Sequence, residues 1–324
     1  MKNLLLLLSI SSYSTSTNAQ IKWENVDSFF QPLPKSIHVF KTTDSLDDKP
    51  NIAFFTIIDL NDKKRKVDVD TTFNRRLTPL QFYNKTEQPL IVVNCTFFSF
   101  QTNKNLSTVI KNGELISFNP NSIAGKGKDT MTYQHFLGSA IGFSKKRVPD
   151  IAWIYSDSFQ KKVAEFRFPI EPIKDTLQNH NADFFKNEAK RFNKSNQYLY
   201  NKNWKMQTAV GGGPVLIQNN KVRITNNEEF KFAGKALNDK HPRTAIGYTK
   251  NNQLIILLVQ GRFPGIAEGA TLEQLAQILI ELNCIEAMNL DGGGSSCLLV
   301  NGKETIKPSD NTGQRAIPAV LIIK

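Results

Sequence analysis

Glu286-Ala-Met-Asn-Leu-Asp-Gly-Gly-Gly-Ser-Ser-Cys-Leu-Leu-Val300 carries an apolar run through one carboxylate, Asp291, into three glycines and two hydroxyls, and then turns apolar again. The pattern predicts strand, turn, strand. Three successive glycines, Gly292, Gly293 and Gly294, remove every Cβ from the turn, so its N–H groups can point outward together and a ligand can approach the backbone. Such a turn can cradle an anion without side-chain charge. A tight turn whose Asp caps loose N–H groups would have the same composition, so the rest of the chain has to decide.

Working outward, Thr271-Leu-Glu-Gln274 is a capping box, and Leu272, Leu275, Ala276, Ile278, Leu279 and Leu282 recur at helical spacing until Asn283. Asn181 to Phe192 also has helical character. Elsewhere strand signals dominate. Asn51–Leu60 and Leu90–Phe98 are β-branched and aromatic runs, and the second places polar Asn94 and Thr96 among apolar neighbours. Asn112-Gly113, Asn219-Asn220, Asn251-Asn252 and Asn301-Gly302 each separate two strand-like runs where positive φ is needed, which predicts four hairpins and largely antiparallel pairing. The fold class expected is α+β: a mixed, largely antiparallel sheet with hairpins and a few packed helices.

The 324 residues hold 40% hydrophobic and 22% charged residues, the composition of a globular domain. Residues 1–20 contain one Lys, the apolar run Leu4–Ile10 and a small polar stretch ending Thr17-Asn-Ala-Gln20, the layout of a secretory signal. Export to the periplasm or outside the cell is expected, with 21–324 as a single domain and a variable insertion, a candidate lid, at about 150–205. No later apolar run is long enough to span a bilayer, so no membrane anchor is expected. The formal charge of +12 favours anionic partners. The basic residues are scattered without interleaved aromatics, which argues against a nucleic-acid groove. Cys95, Cys284 and Cys297 read as buried small hydrophobes, and no Cys-x-x-Cys or His-x-x-x-His spacing suggests a metal site.

Other pieces stand beside Asp291. Gly211-Gly-Gly-Pro214 repeats the bare-backbone logic, so Gly211, Gly212 and Gly213 are candidates for a second cradle. Arg243 and Thr244 open a strand after His241-Pro242 and could hold a phosphate, as could Arg262 in Gln260-Gly-Arg262. Glu268, in the loop that follows, is the one second carboxylate near these motifs and a candidate catalytic residue. Ser295 and Ser296 lack the lysine of a Walker loop and the trailing glycine of a nucleophile elbow, so they read as hydrogen-bond donors. His38, His135 and His180 read as structural or exposed. No cofactor is required, although Asp291 and Asn289 could hold Ca²⁺ or Mg²⁺ in a metal-assisted phosphodiesterase. A carbohydrate- or anion-binding module without turnover is the non-enzyme alternative.

Taken together, Asn94-Cys-Thr-Phe-Phe98, Gly211-Gly-Gly-Pro-Val215, Arg243-Thr-Ala-Ile-Gly247, Gln260-Gly-Arg262, Gly269–Ala276 and Asn289–Ser296 occur in the order of the phosphodiester glycosidase family, and the chain resembles that family from about Ile91 to its C-terminus, excluding 150–205. The resemblance implies hydrolysis of a sugar-1-phosphodiester, such as an N-acetylglucosamine-1-phosphodiester of a phosphorylated glycan. In it Asp291 and Arg243 would be catalytic, with Glu268 added from its place in the loop. Asn94, Thr96, Thr244, Arg262, both glycine triplets and both serines would bind substrate. Two departures accompany it: the family often has Asp where this chain has Gln260, and a small residue where it has Cys95 and Thr96.

Overall fold

The structure is a computed structural model that describes residues 21–157, 159, 161–192, 200–201, 203–234 and 238–324, so the expected leader lies outside the described residues. Among the described residues the strands form four sheets, and every strand pair in them is antiparallel. The largest has eight strands, with Ala53–Asp59, Gln253–Val259, Arg243–Thr249, Cys284–Asn289 and Val215–Gln218 adjacent in that order. A five-stranded sheet places Ile91–Asn94 between Leu298–Val300 and Ala319–Ile323. A seven-stranded sheet contains Gly138–Phe143, Pro149–Asp157 and Thr208–Gly211, and a three-stranded one Ser122–Ala124, Tyr133–His135 and Ile173–Asp175.

The α+β expectation is therefore corrected to a mainly β fold. Among the described residues α-helix is confined to Pro79–Lys85, Ala182–Phe192 and Leu272–Glu281, and strand outweighs helix 39% to 13%. Strand runs such as Leu254–Val259 are apolar without alternation because both faces of their sheet are covered. Leu254, Ile256 and Leu258 enter the main core between the sheets, while Ile255, Leu257 and Val259 pack with Leu272, Leu275, Ala276 and Leu279 of the helix on the other face. That helix starts at the predicted capping box, with the Thr271 hydroxyl accepting from Gln274 N–H and the Gln274 side chain accepting from Thr271 N–H.

All four predicted hairpins form, and Asn112, Asn219, Asn220, Asn252 and Asn301 have positive φ as their turns require. The helix over 181–192 is present as Ala182–Phe192. The stretch at 150–205 differs from expectation: Pro149–Asp157 and Lys162–Phe166 are strands of the seven-stranded sheet rather than a covering over it. Cys95, Cys284 and Cys297 are buried and unbridged. Among the described residues no helix is long and apolar enough to cross a membrane.

Candidate active site

The predicted strand–turn–strand around Asp291 exists, but its strands belong to different sheets. Cys284–Asn289 lies in the eight-stranded sheet and Leu298–Val300 in the five-stranded one, with a 3-10 turn at Gly293–Ser295 between them. Asp291 sits at that corner. Leu290 N–H donates to the Thr244 carbonyl at 2.8 Å on one sheet, and Asp291 N–H donates to the Cys95 carbonyl at 2.9 Å on the other. Asn94 braces the joint: Oδ1 accepts from the Thr244 hydroxyl and from Cys297 N–H, each at 3.0 Å, and Nδ2 donates to the Asp291 carbonyl at 2.5 Å. Asn94 and Thr244 are fully buried and spent on one another, and the buried Thr96 hydroxyl donates to Asn105. All three expected substrate ligands are thus engaged in hydrogen bonds within the corner itself.

The two glycine triplets also change role. Gly211–Gly213 is a second corner, from the seven-stranded to the eight-stranded sheet, but its amides are used internally. They donate to the carbonyls of Thr108, Ser139 and Asn289 in turn. Close packing is what demands glycine here. A Cβ on Gly212 would lie 2.6 Å from the Asn289 carbonyl oxygen, and one on Gly213, where φ is +111°, would lie 2.2 Å from the Glu229 carboxylate.

In the second triplet, Gly292 N–H donates to the Asp291 carboxylate and Gly293 N–H to the Pro242 carbonyl, while Ser295 and Ser296 N–H close the turn on Gly292 and Gly293. No fan of amides points outward. The missing Cβ atoms instead make room for two guanidinium groups: a Cβ on Gly293 would lie 3.0 Å from Arg262 Nη2, and one on Gly294 only 2.2 Å from Arg315 Nη2. The bare turn is a floor on which two arginines lie.

Burial pushes the Asp291 carboxyl up to about 6, against the opposing pull of the Ser295 hydroxyl, the Arg315 charge and Gly292 N–H. Ser295, itself buried, also accepts from Arg315 Nη1 at 3.4 Å, so it orients the pair rather than meeting a ligand. Ser296 is buried beneath the turn, and its hydroxyl has no partner among the described residues. Arg243 is 3% exposed; Nε donates to the Ala270 carbonyl and Nη2 to the Asp239 carbonyl. Burial and the neighbouring Arg262 bring its pKa down to about 10, and burial with the same two arginines depresses His241. Arg262 is exposed and forms no ion pair among the described residues.

Two basic residues not singled out by sequence join this group. Arg315 comes from the segment before the last strand and pairs with Asp310 at 2.6 Å. Its guanidinium and that of Arg76 lie over the exposed ring of Phe100, each at 5.2 Å, forming an outer lip. Lys231 lies over Phe97 at 5.2 Å, beside Arg243 over Phe232 at 5.6 Å; burial depresses its pKa, and it has no ion pair among the described residues. The segment bearing it is pinned by Glu229, fully buried, which accepts from Ser139 N–H and hydroxyl, Trp153 Nε1, Val215 N–H and the Thr225 hydroxyl. No motif marks these positions in the sequence, so pattern alone does not find them.

Glu268 is not brought into the constellation. Its N–H donates to the Pro50 carbonyl, its side chain makes no hydrogen bond or ion pair among the described residues, and it contributes nothing to the Asp291 shift. Gln260 is a buried strut whose side-chain oxygen accepts from Lys307 N–H at 2.8 Å. Asn289 donates to the carbonyls of Gly213 and Leu290. One carboxylate among arginines does not fit a hard dication, which seeks six or more oxygens, so the Ca²⁺ or Mg²⁺ reading finds little support in the donor set. A cavity of about 930 Å³ lined by Lys145, Lys162, Trp204 and Lys205 opens elsewhere and shares no residue with the Asp291 corner. What the corner offers is one carboxylate of raised proton affinity inside a cluster of fixed cations, suited to an anionic substrate whose reacting carbon becomes positive.

Residues 170–324 match the family profile described as phosphodiester glycosidase. Over that stretch the chain is similar to the phosphodiester glycosidase family. Bovine N-acetylglucosamine-1-phosphodiester alpha-N-acetylglucosaminidase is 33% identical over 104 residues, which cover 30% of this chain and 19% of that protein. A Bacillus subtilis prophage-derived protein, YomE, is 40% identical over 87 residues, covering 27% of this chain and 13% of its own length. The chain thus aligns with a fifth or less of these relatives. In structure, the catalytic domain of the zebrafish N-acetylglucosamine-1-phosphodiester alpha-N-acetylglucosaminidase, auto-inhibited by its pro-peptide, superposes with a TM-score of 0.56 at 20% identity, over 97% of this chain and 86% of that one. The chain therefore shares that fold, including the strands upstream of residue 170.

Proposed function

We propose that the protein is exported and hydrolyses the glycosidic bond of a sugar-1-phosphodiester in a phosphorylated glycan, with N-acetylglucosamine the first sugar to test. The observation that carries this reading is the partly buried Asp291, flanked by Ser295 and Arg315 and floored by glycines that admit Arg262 and Arg315. A phosphate monoester leaves readily, so the departing oxygen needs little help from a general acid. That suits a corner with one carboxylate. The catalytic effort goes instead into holding the departing anion, for which Arg262, Arg315 and the more deeply set Arg243 are placed. Asp291, ionised above about pH 6, serves the anomeric carbon either as nucleophile or as the charge that stabilises an oxocarbenium-like transition state. Asn94, Thr244 and Ser295 fix its position.

The test is incubation of the purified chain with N-acetylglucosamine-1-phospho-methyl ester and analysis of products by ³¹P NMR. Free N-acetylglucosamine with methyl phosphate is the expected outcome. N-acetylglucosamine-1-phosphate with methanol would mean phosphodiesterase chemistry, and no turnover of this or other sugar-1-phosphodiesters would mean a binding module; either result sinks the proposal.

A further inference from the structure

Away from the Asp291 corner, three side chains distant in sequence converge. His135 ends the strand Tyr133–His135, Asp175 ends Ile173–Asp175, and His180 precedes the helix Ala182–Phe192. His135 Nε2 is 3.0 Å from Asp175 Oδ1, and His180 Nε2 is 2.6 Å from Asp175 Oδ2. One donor atom from each residue lies within 4.8 Å of the others. We propose that His135, Asp175 and His180 form a zinc site that fastens the segment around 173–192 to the three-stranded sheet.

Zinc ligands lie about 2.0–2.2 Å from the ion, so neighbouring ligand atoms of a tetrahedral site are about 3.4 Å apart. The two nitrogen–oxygen distances seen need to open by less than about 1 Å, within the reach of side-chain rotation. The donor set, two imidazoles and a carboxylate, selects a borderline metal over Ca²⁺ or Mg²⁺. The ligands are held in place beforehand. The His180 ring stacks on Phe184 at 3.5 Å and 6°, and meets the His135 ring edge-on at 4.4 Å. Asp175 Oδ1 also accepts from Leu177 N–H at 2.8 Å, an outer contact that orients the carboxylate. His135 is fully buried and its Nδ1 has no partner among the described residues; without metal its Nε2–H donates to Asp175 Oδ1, and zinc on Nε2 would move that proton to Nδ1. The Asp175 side chain remains 32% exposed, which gives the ion an entry path and a water for the fourth position. No local spacing announces such a site, because its ligands span 40 residues between His135 and Asp175.

The untagged full chain, stripped with chelator and dialysed, would be titrated with ZnCl₂ by calorimetry, alongside His180→Ala, Asp175→Asn and the control His38→Ala. Outer-shell changes alone cost about 10–100-fold in metal affinity, so losing a ligand should weaken binding more than about 100-fold. One saturable zinc per chain, weakened to that extent in both ligand variants and unchanged in the control, is the expected result. Asp175→Asn nearly preserves shape, and far-ultraviolet circular dichroism of each variant separates ligand loss from misfolding. Absence of saturable binding in the wild-type chain would overturn the assignment, as would unaltered binding in a folded Asp175→Asn or His180→Ala variant.

Discussion

Replacing Asp291 by Asn should abolish turnover and at the same time stabilise the fold above pH 6. The carboxyl moves from an ordinary 3.8 to about 6 because burial penalises its charge. A native group with raised pKa contributes stability that is complete below the unfolded value and is lost as pH rises through the folded one, here between about 4 and 6. Roughly two pKa units at 1.36 kcal/mol each give about 3 kcal/mol of unfavourable charge burial at pH 7.5, an upper figure because the side chain keeps some solvent contact. Asparagine keeps an oxygen for Gly292 N–H and removes the charge. Urea unfolding should therefore show the variant about 1–3 kcal/mol more stable than wild type at pH 7.5, with the gap shrinking by about two thirds at pH 4.5. Equal or lower stability of the variant at pH 7.5 would refute the burial argument, and near-normal turnover would refute the catalytic one.

kcat/KM should rise with pH and level off above an apparent pKa near 6, so that its value at pH 5 is about a tenth of its plateau; a flat profile from 5 to 8 would count against an essential ionised Asp291. Arg315→Gln and Arg262→Gln should each lower kcat/KM about 10- to 100-fold on phosphodiester substrates, as loss of a hydrogen bond to a charged group implies, with KM carrying most of the change for exposed Arg262. Gly213→Ala, at positive φ and facing the Glu229 carboxylate, should cost more than about 3 kcal/mol in denaturant or prevent folding, whereas Gly265→Ala, in open space, should cost only its backbone strain. Glu229→Gln places an amide among five donors and should destabilise by about 2–4 kcal/mol, seen as a lower urea midpoint.

Much of the β architecture is readable in the chain because positive-φ turns and capping boxes are local devices. Asn112-Gly113 and Thr271-Leu-Glu-Gln274 carry their own physics and need no tertiary information. The hairpins point to antiparallel pairing, but the α+β expectation still gives helices a share of the fold that the described residues do not bear out. The glycine triplets are legible as special backbone but not as to kind. Whether Gly212 faces a ligand or a carbonyl depends on which strand lies alongside, and Asn289 is 77 positions away in the chain. Arg315 and Lys231 escape for the same reason, being ordinary basic residues until the sheets bring them beside Gly294 and Phe97. Asp291 and Arg243 are legible because each stands at a strand end next to a backbone singularity.

Because one carboxylate's main chain is tied to both the eight- and the five-stranded sheets, alignment at this corner reports how those two slabs sit against each other. Repacking deep in either slab, by a volume change at Leu321 or Ile246 for instance, would reach the chemistry as a small shear. If the proposed hydrolysis holds, such distant substitutions would slow turnover before they loosened the fold, and a screen for faster variants would find useful positions well away from Asp291.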